Sequence, residues 1–118
     1  MFEIQSQFQQ MIIIKEIYIA AENWVKGEWN YEDDNTDVIV TSSDNKRYVA
    51  SFFTYQNIES LRNKNKKTGE CSNGKYFWAS DMILIDKCSR KSIEKIIEHL
   101  IKKDEFYQIF REIKADNK

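Results

Sequence analysis

The stretch "DVIVTSSDNKRYVASFF", residues 37–53, decides the fold class. β-Branched and aromatic residues crowd both of its ends, and "SSDN" at 42–45 sets a cluster of turn formers between them. Val, Ile, Tyr and Phe suit a pleated, half-buried surface, whereas Ser, Asp and Asn make the local side chain–backbone bonds that reverse a chain. The stretch therefore reads as two strands around a compact turn, an antiparallel pair.

Towards the N-terminus, "MIIIKEIYIA" (residues 11–20) carries Ile12, Ile14 and Ile19 among β-branched neighbours and predicts a strand entering the core. "NWVKGEWNY" (23–31) alternates, with Trp24, Lys26 and Glu28 on one side and Val25, Gly27, Trp29 and Tyr31 on the other. That period of two predicts a further strand, so the region from about Met11 to Phe53 is expected to be an antiparallel meander. Phe2, Ile4 and Phe8 among glutamines fit either an irregular strand or a short helix.

Towards the C-terminus, Thr54 is placed to cap a short helix, "YQNIESLRNKN", with Ile58 and Leu61 on one face. "KKTGECSNG" reads as a loop. "KYFWASDMILID" (75–86) is almost continuously apolar, which predicts a central strand covered on both faces. Ser89 then caps the clearest helix, whose stripe is Ile93, Ile96, Ile97, Leu100 and Ile101. Asp104 marks a break, and "DEFYQIFREI" repeats the helical pattern with Phe106, Ile109, Phe110 and Ile113. The expected fold is one α+β domain over residues 1–118, a mainly antiparallel sheet of four to five strands packed by C-terminal helices.

Composition narrows the function classes. Eighteen basic residues against nineteen acidic ones leave a formal net charge of -1. A general polyphosphate binder needs clustered excess cations, and a whole-surface DNA mimic needs a strong acidic excess. Direct nucleic-acid binding is therefore not expected. With three glycines and no proline, the chain has no glycine-rich phosphate cradle. Cys71 and Cys88, with a single histidine, are too few for a Cys/His zinc site, and read as free thiols of a reducing compartment. The apolar run at 11–14 is closed by Lys15 and Glu16, so neither a signal peptide nor a membrane span is expected, and the expected location is cytoplasmic.

The functional question rests on "EWNYEDDNTDVIV" (28–40). Asp33, Asn35 and Asp37 match the first half of a calcium loop, but the turn glycine is Val38 and the bidentate Glu is Asp44. No metal is expected there. Two readings stay open: a polar loop that protects a hairpin from edge pairing, and an acidic recognition surface. In the second, Glu28, Glu32, Asp33, Asp34 and Asp37 steer a basic partner while Trp29 and Tyr31 supply apolar contact. The basic run Arg62, Lys64, Lys66 and Lys67 reads as a solvated helix end, where cations meet the C-terminal dipole. His99 lies at the edge of an apolar helical stripe with no nucleophile signature beside it. Tyr76, Phe77 and Trp78 read as core aromatics. No catalytic residue and no cofactor is assigned.

"GEWNYEDDNTD", the "KYFWASDMILID" strand and the following "SIEKIIEHLIKKDEFYQIF" give the chain an organisation that resembles the small bacterial immunity proteins of polymorphic and contact-dependent toxin systems. The resemblance is one of organisation and transfers no individual residue's role. It implies a non-enzymatic inhibitor that neutralises a cognate basic toxin or nuclease. A phage inhibitor of a host nuclease would look the same. The alternatives are a small enzyme or ligand-binding module whose site is assembled from distant acids and aromatics, and a self-associating structural subunit.

Overall fold

The central hairpin forms as its composition dictates. In the computed structural model, which describes residues 12–114, strand β2 (Asn35–Ser42) pairs antiparallel with β3 (Arg47–Thr54), with Val38 opposite Ala50 and Val40 opposite Tyr48. The reversal uses the turn cluster: Ser42 N–H donates to the Lys46 carbonyl at 2.9 Å, Asn45 N–H to the Ser42 carbonyl at 2.8 Å, and Asn45 takes the left-handed conformation at φ 68°. Asn tolerates that region better than most residues. The Ser42 hydroxyl donates to Asp44 and holds its carboxyl below the usual carboxylate range. Strand β1 (Ile14–Ile19) pairs antiparallel with β2 and carries a bulge between Ile14 and Glu16. The opening around Phe2, Ile4 and Phe8 lies outside the described residues.

The other side of β3 is shared. Its C-terminal half pairs in parallel with β4 (Met82–Ile85), and its N-terminal half pairs antiparallel with β5 (Arg111–Ile113). Arg111 Nε donates to Asp81 Oδ2 at 2.9 Å and ties the two short strands together. The result is a five-stranded, mostly antiparallel sheet in an α+β fold. Helix α1 (Tyr55–Thr68) follows β3, helix α2 (Arg90–Lys102) follows β4, and the single turn α3 (Phe106–Ile109) precedes β5.

One face of this sheet makes the core. Ile19, Val38, Val40, Ala50, Phe52 and Ile85 point towards Ile93, Ile97 and Leu100 of α2 and towards Phe106 and Phe110. The last two rings stack at 4.5 Å, and Tyr48 meets Phe106 edge-on at 5.5 Å. Burial pushes the Tyr48 phenol up to about 12. The caps are where expected: Ser89 Oγ accepts from Ser92 N–H and Thr54 Oγ1 from Asn57 N–H, each worth about 1 kcal/mol. Asp104 breaks the chain after α2 at φ 60°.

Four expectations are corrected. Tyr76 and Trp78 are not core aromatics: they precede β4 and are exposed at 57% and 70%, and of the three only Phe77 is half-buried, edge-on to Phe53 at 5.5 Å. Residues 23–31 are not a strand: a 3₁₀ turn (Ala20–Asn23) ends β1, Gly27 turns the chain at φ 92°, and Asn30 and Asp34 capture local backbone N–H groups that a ladder would need. The strand in 75–86 is only Met82–Ile85, and it lies at the sheet's edge. Its apolar run is continuous because Ile83 and Ile85 share the core face while Met82 and Leu84 line a groove beside α1. The second C-terminal helix stops after one turn, because Phe110 adopts an extended conformation and residues 111–113 complete the sheet.

Candidate protein-binding loop

The acidic stretch lies in the long connection from β1 to β2 and on the first residues of β2. Among the described residues its side chains divide into those that hold the loop and those that face solvent. Asp33 points inward: Oδ1 accepts from Asn57 Nδ2 at 3.0 Å and Oδ2 from Ser60 Oγ at 2.7 Å, both on α1. Asp34 is also spent on structure. Its carboxylate accepts from Asn30 and Asn35 N–H, while its own N–H donates to Thr54 Oγ1 and its carbonyl accepts from Thr54 N–H. Thr54 thus caps α1 and receives the loop with one hydroxyl.

The aromatic end is clamped separately. Trp29 packs against the core, and its Nε1–H donates to Cys88 Sγ at 3.3 Å. Cys88 N–H donates to the Tyr31 carbonyl at 2.8 Å. Burial pushes the Cys88 thiol up and so disfavours its thiolate, the nucleophilic form. Tyr31 meets Trp29 edge-on at 4.9 Å and leaves half its surface in water. Cys71 and Cys88 are both unpaired thiols.

Glu28, Glu32 and Asp37 remain exposed. Glu32 faces Lys87 at a long 3.9 Å, and Asp37 Oδ1 accepts from Ser51 Oγ at 2.7 Å across the β2–β3 pair. The seven candidate residues therefore do not form one uniform patch. Asp33, Asp34 and Trp29 are the frame, and Glu28, Tyr31, Glu32 and Asp37 are displayed on it.

Of the residues that make this frame the sequence marks Thr54, and only as a helix cap. Asn57, Ser60, Thr54 and Cys88 lie 20 or more residues from the loop partners they hold, so spacing gives no signal. Asn57 offered a weak one, as a polar residue next to Ile58 on the side of α1 that turns inward. Beyond Lys87, a shallow depression joins Tyr55 and Leu84 to Lys95 and Ile96 of α2. His99 is exposed on α2. The basic run is divided: Arg62 faces Glu59 at 3.9 Å and Lys64 pairs with Glu70 at 3.1 Å, which lowers the Glu70 pKa, while Lys66 lines a groove. No helix among the described residues is long and apolar enough to cross a membrane. Compared with known protein families, with curated proteins and with solved structures, the chain has no match in any of the three.

Proposed function

We propose that this chain is a non-enzymatic protein-binding inhibitor of the immunity type, which docks the loop at 28–37 onto a basic surface of a cognate toxin or nuclease. The observation that supports this reading most is the pre-organisation of the loop. Two anchor sets, Asp33 and Asp34 on α1 and its cap, and Trp29 with the Tyr31 carbonyl on Cys88, fix its backbone before any partner arrives. A loop that is already ordered loses little conformational entropy on binding, and that loss is a main cost of association. The fixed frame leaves Tyr31 half-exposed, with Glu28, Glu32 and the β2 residue Asp37 exposed as well. An aromatic anchor together with like charges combines a packing contact with long-range steering.

The reading divides labour among the acids, and that division is testable. A tagged chain is used to capture a partner from the source cells, and the rates of the purified pair are then measured by surface plasmon resonance. Replacing Glu28, Glu32 and Asp37 together by their amides should slow association by about ten-fold at low salt, with the difference shrinking as salt rises. Tyr31→Ala should act mainly on dissociation. Asp33→Asn should disturb the loop itself and lower stability. Unchanged rates for the triple amide variant would remove this face from the interface and overturn the proposal.

A further inference from the structure

On a different part of the molecule, α1 does not close down onto the sheet. Between α1, the segment that follows it and the outer face of β4 lies an open groove of about 740 Å³, within the range of about 300–1,000 Å³ that small-molecule sites occupy. Its floor is apolar, from Ile58, Phe77, Met82 and Leu84. Its rim carries three cations, Arg62, Lys66 and Lys75. Arg62 and Lys66 are one helical turn apart and share a face of α1, while Lys75 enters from the facing segment. Among the described residues no carboxylate lines the groove, and neither Lys66 nor Lys75 has one within ion-pair distance.

The facing wall is held in an uncommon conformation. Cys71, Ser72 and Asn73 have φ of 53°, 53° and 61°, and Gly74 follows at 79°, so this turn winds with left hand. Gly74 closes it against α1: a Cβ there would sit 2.7 Å from the Arg62 carbonyl oxygen. The turn thereby fixes how near Lys75 and Phe77 stand to α1, and with that the width of the groove. Backbone held outside its preferred region tends to be found at ligand clamps.

We propose that this groove binds a small anionic amphiphile, specifically a free monomeric carboxylate on an unbranched aliphatic chain. The chain lies on the Ile58, Phe77, Met82 and Leu84 floor, with Met82 adapting to its shape. The carboxylate meets Lys66 and Lys75, with Arg62 beside them. An apolar floor alone would take any hydrophobe; Lys66 and Lys75, with no carboxylate partner among the described residues, select the negative head, and Arg62, shared with Glu59 at 3.9 Å, adds to them. This site shares no residue with the loop at 28–37, so its failure leaves that proposal standing.

The test uses the intact chain and three probes of equal chain length: decanoate, decylammonium and 1-decanol, titrated below their aggregation limits. By calorimetry decanoate should bind at least ten-fold tighter than either of the others. Amide shifts in ¹⁵N-correlated NMR spectra should move most at Ile58, Lys66, Lys75 and Leu84. The K66Q/K75Q double variant, which changes only exposed positions, should keep its fold by circular dichroism and lose decanoate affinity at least ten-fold. Equal binding of decanoate and decylammonium, shifts centred elsewhere, or an unaffected double variant would each overturn the proposal. So would absence of decanoate binding with sedimentation on phosphatidylglycerol vesicles, which would make the cations a membrane contact.

Discussion

Helices α2 and α1 are nearly equal in length, 13 and 14 residues, and each starts on a hydroxyl cap. They bury opposite things. The inward face of α2 presents Ile93, Ile97 and Leu100, all within the core. The buried residues of α1 are Asn57 and Asn65. The stripe on α2 was strong enough to draw the helix flat onto the sheet, where each aliphatic side chain removes apolar area from water at about 25 cal/mol per Å². Helix α1 has only Ile58 and Leu61 to offer, both partly exposed, and gains its place through polar bonds: Asn57 and Ser60 donate to Asp33, and Asn57 accepts from Asn35. Hydrogen bonds of this kind contribute about 1 kcal/mol each. The lesson is one of division: the α2 side of the sheet carries the stability, and the α1 side carries loops, cations and a groove that stay open.

The comparison breaks if the two sides prove equally stabilising. Ile97→Ala should cost about 2–5 kcal/mol, because the residue is fully buried and its loss leaves a cavity. Ile58→Ala, at the groove, should cost less than about 1 kcal/mol. Urea unfolding of both variants decides this, and similar losses would refute the division.

Gly74→Ala comes next in size. The left-handed φ and the contact with the Arg62 carbonyl both oppose a Cβ, at about 1–3 kcal/mol. The cost should be local: hydrogen exchange should quicken in the C-terminal half of α1 and leave α2 unchanged. Uniform acceleration across both helices would show that the two sides unfold as one unit.

The two caps sharpen the contrast. Ser89→Ala should cost about 1 kcal/mol as an ordinary cap loss. Thr54→Ala should cost somewhat more, since the same oxygen also receives the Asp34 N–H. If the two losses are equal, the loop does not depend on Thr54 and is held by its other bonds alone.

The smallest effect concerns pH. Arg90 at the start of α2 grips Glu22 with two bonds of 2.6 and 2.8 Å and donates to the Ile17 carbonyl. The bond to Arg90 holds the Glu22 carboxyl below its ordinary value of 4.5. A folded pKa below the unfolded one adds stability that is complete above pH 4.5 and fades as pH falls through the lower folded value. Both side chains are more than one-third exposed, so screening limits the gain to less than about 1 kcal/mol. Glu22→Gln should therefore be less stable than the parent at about pH 6, with the difference shrinking by about pH 3. A gap that stays constant over that range would mean that packing, not charge, is what Glu22 supplies.

Local chemistry determined much of this protein. The β2–β3 hairpin, its turn, the Thr54 and Ser89 caps, the α2 stripe and the break at Asp104 all follow from residues within a few positions of one another. Such signals survive because they depend on intrinsic dihedral preferences and on side chain–backbone bonds that form without distant partners. Only the tertiary structure decided the rest. Alternation at 23–31 looked like a strand, but side-chain capture of the backbone and anchorage to Cys88 made it a loop. The apolar run at 75–86 looked central, yet the crossover through α1 placed its strand at an edge. The five clustered acids look alike in sequence, but Asn57 and Ser60, far along the chain, hold the Asp33 carboxylate, while Asp34 bonds its carboxylate to nearby backbone N–H groups and its own backbone to Thr54. Periodicity reports which residues avoid water; it does not report which distant group will cover them, and that choice placed the loop and left the groove open.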